Sequence, residues 1–251
     1  MNLDALWHDL ECGDYAADLP VWRALADEAG GPVLDVGAGT GRVSLDLAGR
    51  GASVVALDVE APLLDALRVR AAGRGVDVQT VTGDARRFAI DRRFALVVVP
   101  MQTLQLLGGA EGRAAFLRRA LAHLRPGGRV AAAVADALDC FDDEHPLPPP
   151  AAVRDVVDVR YATRLLAVTG EDGRAVLHRR REVVGPGDHY ASSDLRLALD
   201  RVSPDEVAAE AVRVGFAAEP PRSVAETDTH LGCTVVVLRA PDARGMADCR
   251  A

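Results

Sequence analysis

The 251-residue chain contains no lysine. Every fixed positive side chain is therefore an arginine. With the abundance of alanine, this reads as a compositional habit of the genome rather than a functional device. Cysteine is sparse: Cys12, Cys140, Cys233 and Cys249 are widely scattered. That spacing fits no metal-ligand pattern, so no metal is expected. It suits reduced thiols in a cytoplasmic protein. No apolar run is long enough to cross a bilayer. The opening stretch, Met1 to Leu10, is amphipathic and acidic, which is not the pattern of a signal peptide. Positive charge is also short, with a formal net charge of −8. Such a balance opposes a nucleic-acid or anionic-membrane partner, because phosphate binding needs a positive footprint. There is no internal repeat, and low complexity is confined to Pro148, Pro149 and Pro150.

What is present is an apolar run, Val33-Leu34-Asp35-Val36, that stops in Gly37-Ala38-Gly39-Thr40-Gly41. It predicts a strand that enters a helix through a turn with no room for side chains. Glycines there let a ligand touch the main chain, and the helix start offers unpaired N–H groups to a nucleotide-type ligand. A second buried strand, Ser53 to Asp58, ends in a carboxylate, and a third, Val76 to Val81, is followed by Gly83-Asp84-Ala85. The dinucleotide fingerprint G-x-G-x-x-G fits imperfectly, since Arg42 stands where its last glycine belongs.

These pieces, with the strand Phe94 to Pro100 and Leu124-Arg125-Pro126-Gly127-Gly128 before a fifth strand, resemble a class I S-adenosylmethionine (SAM) dependent methyltransferase. They occur in that family's order over roughly the first half of the chain. The resemblance implies a Rossmann-like α/β sandwich: a mostly parallel sheet with an antiparallel last strand. It further implies that Gly37, Gly39 and Gly41 cradle the methionine portion and that Asp35 faces its amino group. Asp58 would hold the ribose hydroxyls, and Asp84 with Ala85 would read the adenine. Ala38, Val59, Leu63, Pro100 and Met101 complete the expected cofactor site, and S-adenosylhomocysteine (SAH) would be the product. Ala95 departs from the family, where an acid is common.

The rest of the chain divides around that core. Residues 1–30 predict two helical pieces forming a lid, 31–138 the SAM-binding core, 139–202 an inserted antiparallel β meander, and 203–251 a closing helix and strand. Within the insertion, 142–150 is linker-like because consecutive prolines suit neither helix nor central strand. The meander's strands are expected at 153–168, 175–184 and 189–199. Ser203-Pro204-Asp205-Glu206 reads as a capping box that opens a helix ended by Gly215.

Three residues stand out for the chemistry. Gln102, at the carboxyl edge of the fourth strand, is expected closest to the transferred methyl, able to position a substrate by hydrogen bonding. His230 is the general-base candidate, against the plainer reading of a structural loop histidine. Tyr15 is either a wall of the site or an anchor for the N-terminal helix. His178-Arg179-Arg180-Arg181 reads as a clamp for an acceptor carboxylate or phosphate, or as a solvated two-faced strand.

The activity implied is methyl transfer by direct displacement to an O, N, S or C nucleophile of a small molecule. Pro100-Met101-Gln102-Thr103 stands where an Asn/Asp-Pro-Pro-Tyr signature would point to nucleobases or glutamine amides. Transfer or cyclisation of the aminocarboxypropyl arm, a nicotinamide oxidoreductase and a non-catalytic SAM-binding protein are the alternatives. The inserted strands could also supply a homodimer contact.

Overall fold

The computed structural model describes residues 2–135, 152–187, 189–227, 230 and 232–242. The linker-like stretch 142–150, Cys140, Cys249, Asp228 and Thr229 lie outside them. Two helical segments come first, α1 (Leu3–His8) running into a π-turn (Asp9–Gly13), then α2 (Leu19–Ala29). An alternating series follows: β1 (Val33–Val36), α3 (Arg42–Gly49), β2 (Val54–Asp58), α4 (Ala61–Arg74), β3 (Val78–Thr82), β4 (Phe94–Val99), α5 (Gly109–His123) and β5 (Leu124–Val134). Four strands of a second sheet are β6 (Ala152–Val156), β7 (Val159–Glu171), β8 (Arg174–Val184) and β9 (Tyr190–Asp200). The chain returns through α6 (Pro204–Val214), β10 (Ala217–Val224) and β11 (Cys233–Arg239).

The main sheet has the order β10-β11-β5-β4-β1-β2-β3, parallel except for β11, which runs antiparallel to both β5 and β10. β1, β2 and β4 are buried along their whole length. Helices on both faces of a parallel sheet demand such unbroken apolar strands rather than alternation. The inserted strands form a separate antiparallel sheet, β6-β7-β8-β9. Its inner face receives α1 and the π-turn: Leu6, Trp7 and Leu10 pack with Tyr161 in one cluster, and the Trp7 and Tyr161 rings meet edge-on at 5.5 Å.

Some boundaries differ from the sequence reading. The run 153–168 is two strands, divided at Val157 and Asp158, with Val157 at φ 54° and almost fully exposed. β10 was not expected, because Pro220 and Pro221 lie inside it; an edge position and a register shift between Glu219 and Arg222 accommodate them. The capping box is formed as expected, with Ser203 and Glu206 reciprocally bonded and Gly215 in the left-handed region.

The two sheets are locked by a buried ionic cluster. Arg113 of α5 donates to Glu210 of α6 at 2.7 and 2.8 Å and to Asp200, at the end of β9, at 3.1 Å. Gln105 bonds the main chain of Ala135 and Asp200 on either side. Replacing Arg113 by alanine strips the buried Glu210 of its cation and leaves Asp200 with only Arg174, 3.6 Å away. The expected cost is about 3 kcal/mol, a fall in Tm of roughly 6–12 °C in a scanning calorimeter.

Candidate active site

The carboxyl ends of β1, β2 and β4 open into a cavity of about 650 Å³. The turn between β1 and α3 forms its floor, and glycine is required there for two separate reasons. Gly37 has φ 70°, and a Cβ on it would lie 2.5 Å from Thr103, in the loop after β4. Gly39 has φ 54°, and a Cβ there would overlap the ring of His8 from α1. The turn is thus pressed between a helix and a loop that both reach the cavity.

Three carboxylates surround this floor in different states. Asp35 is buried, and its Oδ2 accepts a bond from the Ser44 hydroxyl at 2.6 Å. Its Oδ1 has no partner, and burial pushes the carboxyl up to about 6. An orphaned buried acceptor on a cavity wall is suited to an ammonium group. Asp58 accepts the Gly39 N–H at 2.7 Å on Oδ2 and the Glu60 N–H at 2.9 Å on Oδ1, which ties the turn to the end of β2. Asp84 is gripped by Arg86, whose main-chain N–H, Nε and Nη2 donate to it at 2.8 to 3.2 Å. That guanidinium holds the Asp84 carboxyl down at about 2. Most of the acceptor capacity expected to read adenine is therefore spent on Arg86.

Among the expected residues, Asp35, Gly37, Ala38, Asp58, Val59 and Leu63 line the cavity. So do Asp84, Ala85, Pro100, Met101 and Gln102. Met101 has φ 54°, a strained value for a residue with a side chain, and Gln102 follows it directly. Gly39 and Gly41 shape the turn without facing the cavity; a Cβ on Gly41 would strike Leu67.

Tyr15 and His230 come together, but beside the cavity rather than in its wall. Their rings stack with centroids 4.6 Å apart. Arg42 lies 5.1 Å from the Tyr15 ring and donates to its carbonyl at 2.8 Å, while Asp18 holds the same guanidinium on both oxygens. Burial drives the Tyr15 hydroxyl up to about 12 and the His230 imidazole down. Tyr15 is an anchor in this geometry, and Arg42 is the member of the group that reaches the cavity.

Sequence reasoning missed His8, Cys12, Thr103 and Leu197, which also line the walls, as does Arg181, one member of the arginine run read as a clamp or a solvated strand. His8 and Cys12 arrive because ion pairs strap the N-terminal segment down. Asp9 bonds Thr40 and Arg70, and Glu11 takes a two-point contact from Arg181 at 2.8 and 3.0 Å. Burial lowers the His8 imidazole and pushes the Cys12 thiol up to about 11. Arg181 and Leu197 belong to β8 and β9, so the second sheet contributes directly to the cavity. Among the described residues no helix is long and apolar enough to cross a membrane.

Comparison with known proteins agrees with this geometry. Residues 33–128 match the family described as methyltransferase domain. A cypemycin N-terminal methyltransferase from Streptomyces sp is 42% identical over 113 residues, 45% of this chain and 43% of that protein. The match therefore spans less than half of that relative's length. The solved sugar N-methyltransferase KedS8 from Streptoalloteichus sp superposes with a TM-score of 0.75 at 14% identity, covering 96% of this chain and 93% of the other. The glycopeptide N-methyltransferase MtfA gives a TM-score of 0.59 at 25% identity over 91% and 92%, and it has also been solved with SAH. The open parallel sheet, the glycine turn beneath an unsatisfied buried carboxylate and the family match over that same segment agree: residues 33–128 carry a methyltransferase domain.

Proposed function

We propose that this protein methylates an amine nitrogen of a small, natural-product-type acceptor by direct displacement. The observation that carries the cofactor side is Asp35, whose buried, unpartnered Oδ1 fits the amino group of SAM. Gly37 and Ala38 would bring main chain against the methionine portion, and Asp58 would take the ribose hydroxyls on its remaining lone pairs. Val59, Leu63 and Ala85 offer apolar surface for the adenine. SAM, when bound, supplies an already activated methyl group, so this chain's part is alignment and exclusion of water.

Nitrogen is favoured over oxygen by the weak basicity of three described residues that line the cavity. Asp58 is occupied by two N–H donors, the Cys12 thiol stays protonated, and the lowered His8 imidazole is a weak base. None is suited to deprotonate a hydroxyl. An α-amino group, with an ordinary pKa of about 8, supplies its own free base near neutral pH. The names of two of the relatives above specify nitrogen, and the third names an N-terminus. Gln102, beside the strained Met101, would orient the acceptor, and the second sheet would cover it.

Thermal unfolding with SAM, SAH and NADH tests the cofactor assignment. A ligand at about 100 times its Kd stabilises the fold by about 2.7 kcal/mol. Shifts with the two sulfur nucleosides and none with NADH are expected; a shift with NADH alone would overturn the assignment. Incubation with SAM and a panel of amines should then release SAH. Release of methylthioadenosine would indicate transfer of the aminocarboxypropyl arm instead.

A further inference from the structure

Strand β8 presents four arginines, and three of them meet a carboxylate. Arg174 lies 3.6 Å from Asp200, Arg180 donates to Asp194 at 2.7 and 2.8 Å, and Arg181 is held by Glu11. Arg179 differs. Its hydrogen bond is to the Thr163 hydroxyl at 3.2 Å, and among the described residues no carboxylate comes within ion-pair distance of it. A half-buried guanidinium with most of its five donors unspent can still take an oxyanion.

Its position gives this vacancy a direction. Side chains alternate along a strand, so Arg179 shares a face with Arg181, which lines the cavity, and Arg180 points the other way. The positive charge of Arg179 is felt at Cys12, a second wall residue, and at His230. Cys12 lies where the N-terminal segment and the second sheet meet over the cavity.

We propose that Arg179 anchors an anionic group, a carboxylate or a phosphate, carried by the acceptor amine, and so selects acceptors that bear both. The inference rests on the amine reading above and adds the substrate's second functional group. A planar guanidinium grips either oxyanion at two points, and the Thr163 hydroxyl bond fixes its orientation. Arg181, neutralised by Glu11, forms wall rather than anchor.

The test is calorimetric titration of SAH-loaded protein with matched probes: β-alanine against β-alaninamide, and O-phosphoethanolamine against ethanolamine. The anionic member of at least one pair should bind ten-fold or more tightly than its neutral counterpart. The pair with the larger ratio distinguishes carboxylate from phosphate. Arg179→Gln should erase the preference, Arg180→Gln should keep it, and Arg179→Lys, with charge but no fork, should fall between. Equal binding of charged and neutral probes, or a preference intact in Arg179→Gln, overturns the proposal. Absence of any SAH-induced thermal shift in the wild type would refute the cofactor reading itself, and the anchor with it.

Discussion

Asp35→Asn should raise the Kd for SAM by roughly 30- to 150-fold while leaving the ligand-free protein as stable as the wild type, or more so. The first half follows from the orphaned Oδ1. A charge-assisted hydrogen bond in a buried setting contributes about 2–3 kcal/mol to binding, and an amide offers an ammonium no negative charge. The second half follows from burial. The folded-state pKa of Asp35 is raised from 3.8 to about 6, so the folded protein holds this proton more tightly than the unfolded chain does. Its contribution is complete below about pH 4 and is lost as pH rises to about 6, leaving a cost on the order of 3 kcal/mol at neutral pH.

Asparagine never ionises and can still accept the Ser44 bond. The Tm advantage of Asp35→Asn should therefore be largest near pH 7.5 and vanish near pH 4. Wild-type affinity for SAM should itself weaken as pH falls through about 6, where the carboxylate takes up its proton. Calorimetric titrations at pH 5.5 and 7.5, with melting curves at both, check all three statements. A variant that binds SAM as the wild type does would remove Asp35 from the site.

How much of this was legible beforehand depends on the range of the interaction concerned. The glycine turn, Asp35 and Asp58 sit within 24 residues of one another, and local geometry dictates their arrangement: strand, turn, helix, strand. The capping box at Ser203 is local in the same sense. His8 and Cys12 were invisible because their placement depends on Asp9 reaching Arg70 and on Glu11 reaching Arg181, 170 positions away. Nothing in a window of sequence encodes either partner. Tyr15 and His230 show the converse. Both looked chemically capable, and they do meet, yet their stack forms behind Arg42.

Arg42 is instructive for another reason. It entered the sequence reading only as a misfit to the dinucleotide fingerprint, whereas in the fold it pins α2 through Asp18 and faces the cavity. Asp84 illustrates the limit of carrying roles over by motif. Gly83-Asp84-Ala85 is where the family pattern places it, but Arg86, two residues on, occupies its carboxylate. That competition was written in the sequence and had no weight until the side chains were placed.

Gly39→Val should cost SAM binding more than 100-fold, a larger loss than removal of any one side chain on the turn. Gly39 has φ 54°, a conformation that costs an L-residue about 1–2 kcal/mol and a β-branched one more. A Cβ there also falls well inside 3.0 Å of the His8 ring. His8 has limited freedom to yield, since it is half-buried and its Nδ1 lies 3.3 Å from the Thr40 hydroxyl. Either the ring is driven into the cavity, or the turn shifts and the Gly39 N–H loses Asp58. In the first case the ligand's space is filled; in the second the floor and Asp58 move together.

The two routes separate in a double-mutant cycle. Gly39→Ala should bind SAM less tightly than the wild type, and combining it with His8→Ala should recover affinity if the ring is the obstacle. If the backbone strain at residue 39 dominates, the two losses simply add. Circular dichroism must show the fold intact for either comparison to count. Undiminished SAM affinity in a folded Gly39→Val would mean that the turn does not touch the cofactor, and the site would have to be sought elsewhere on the sheet.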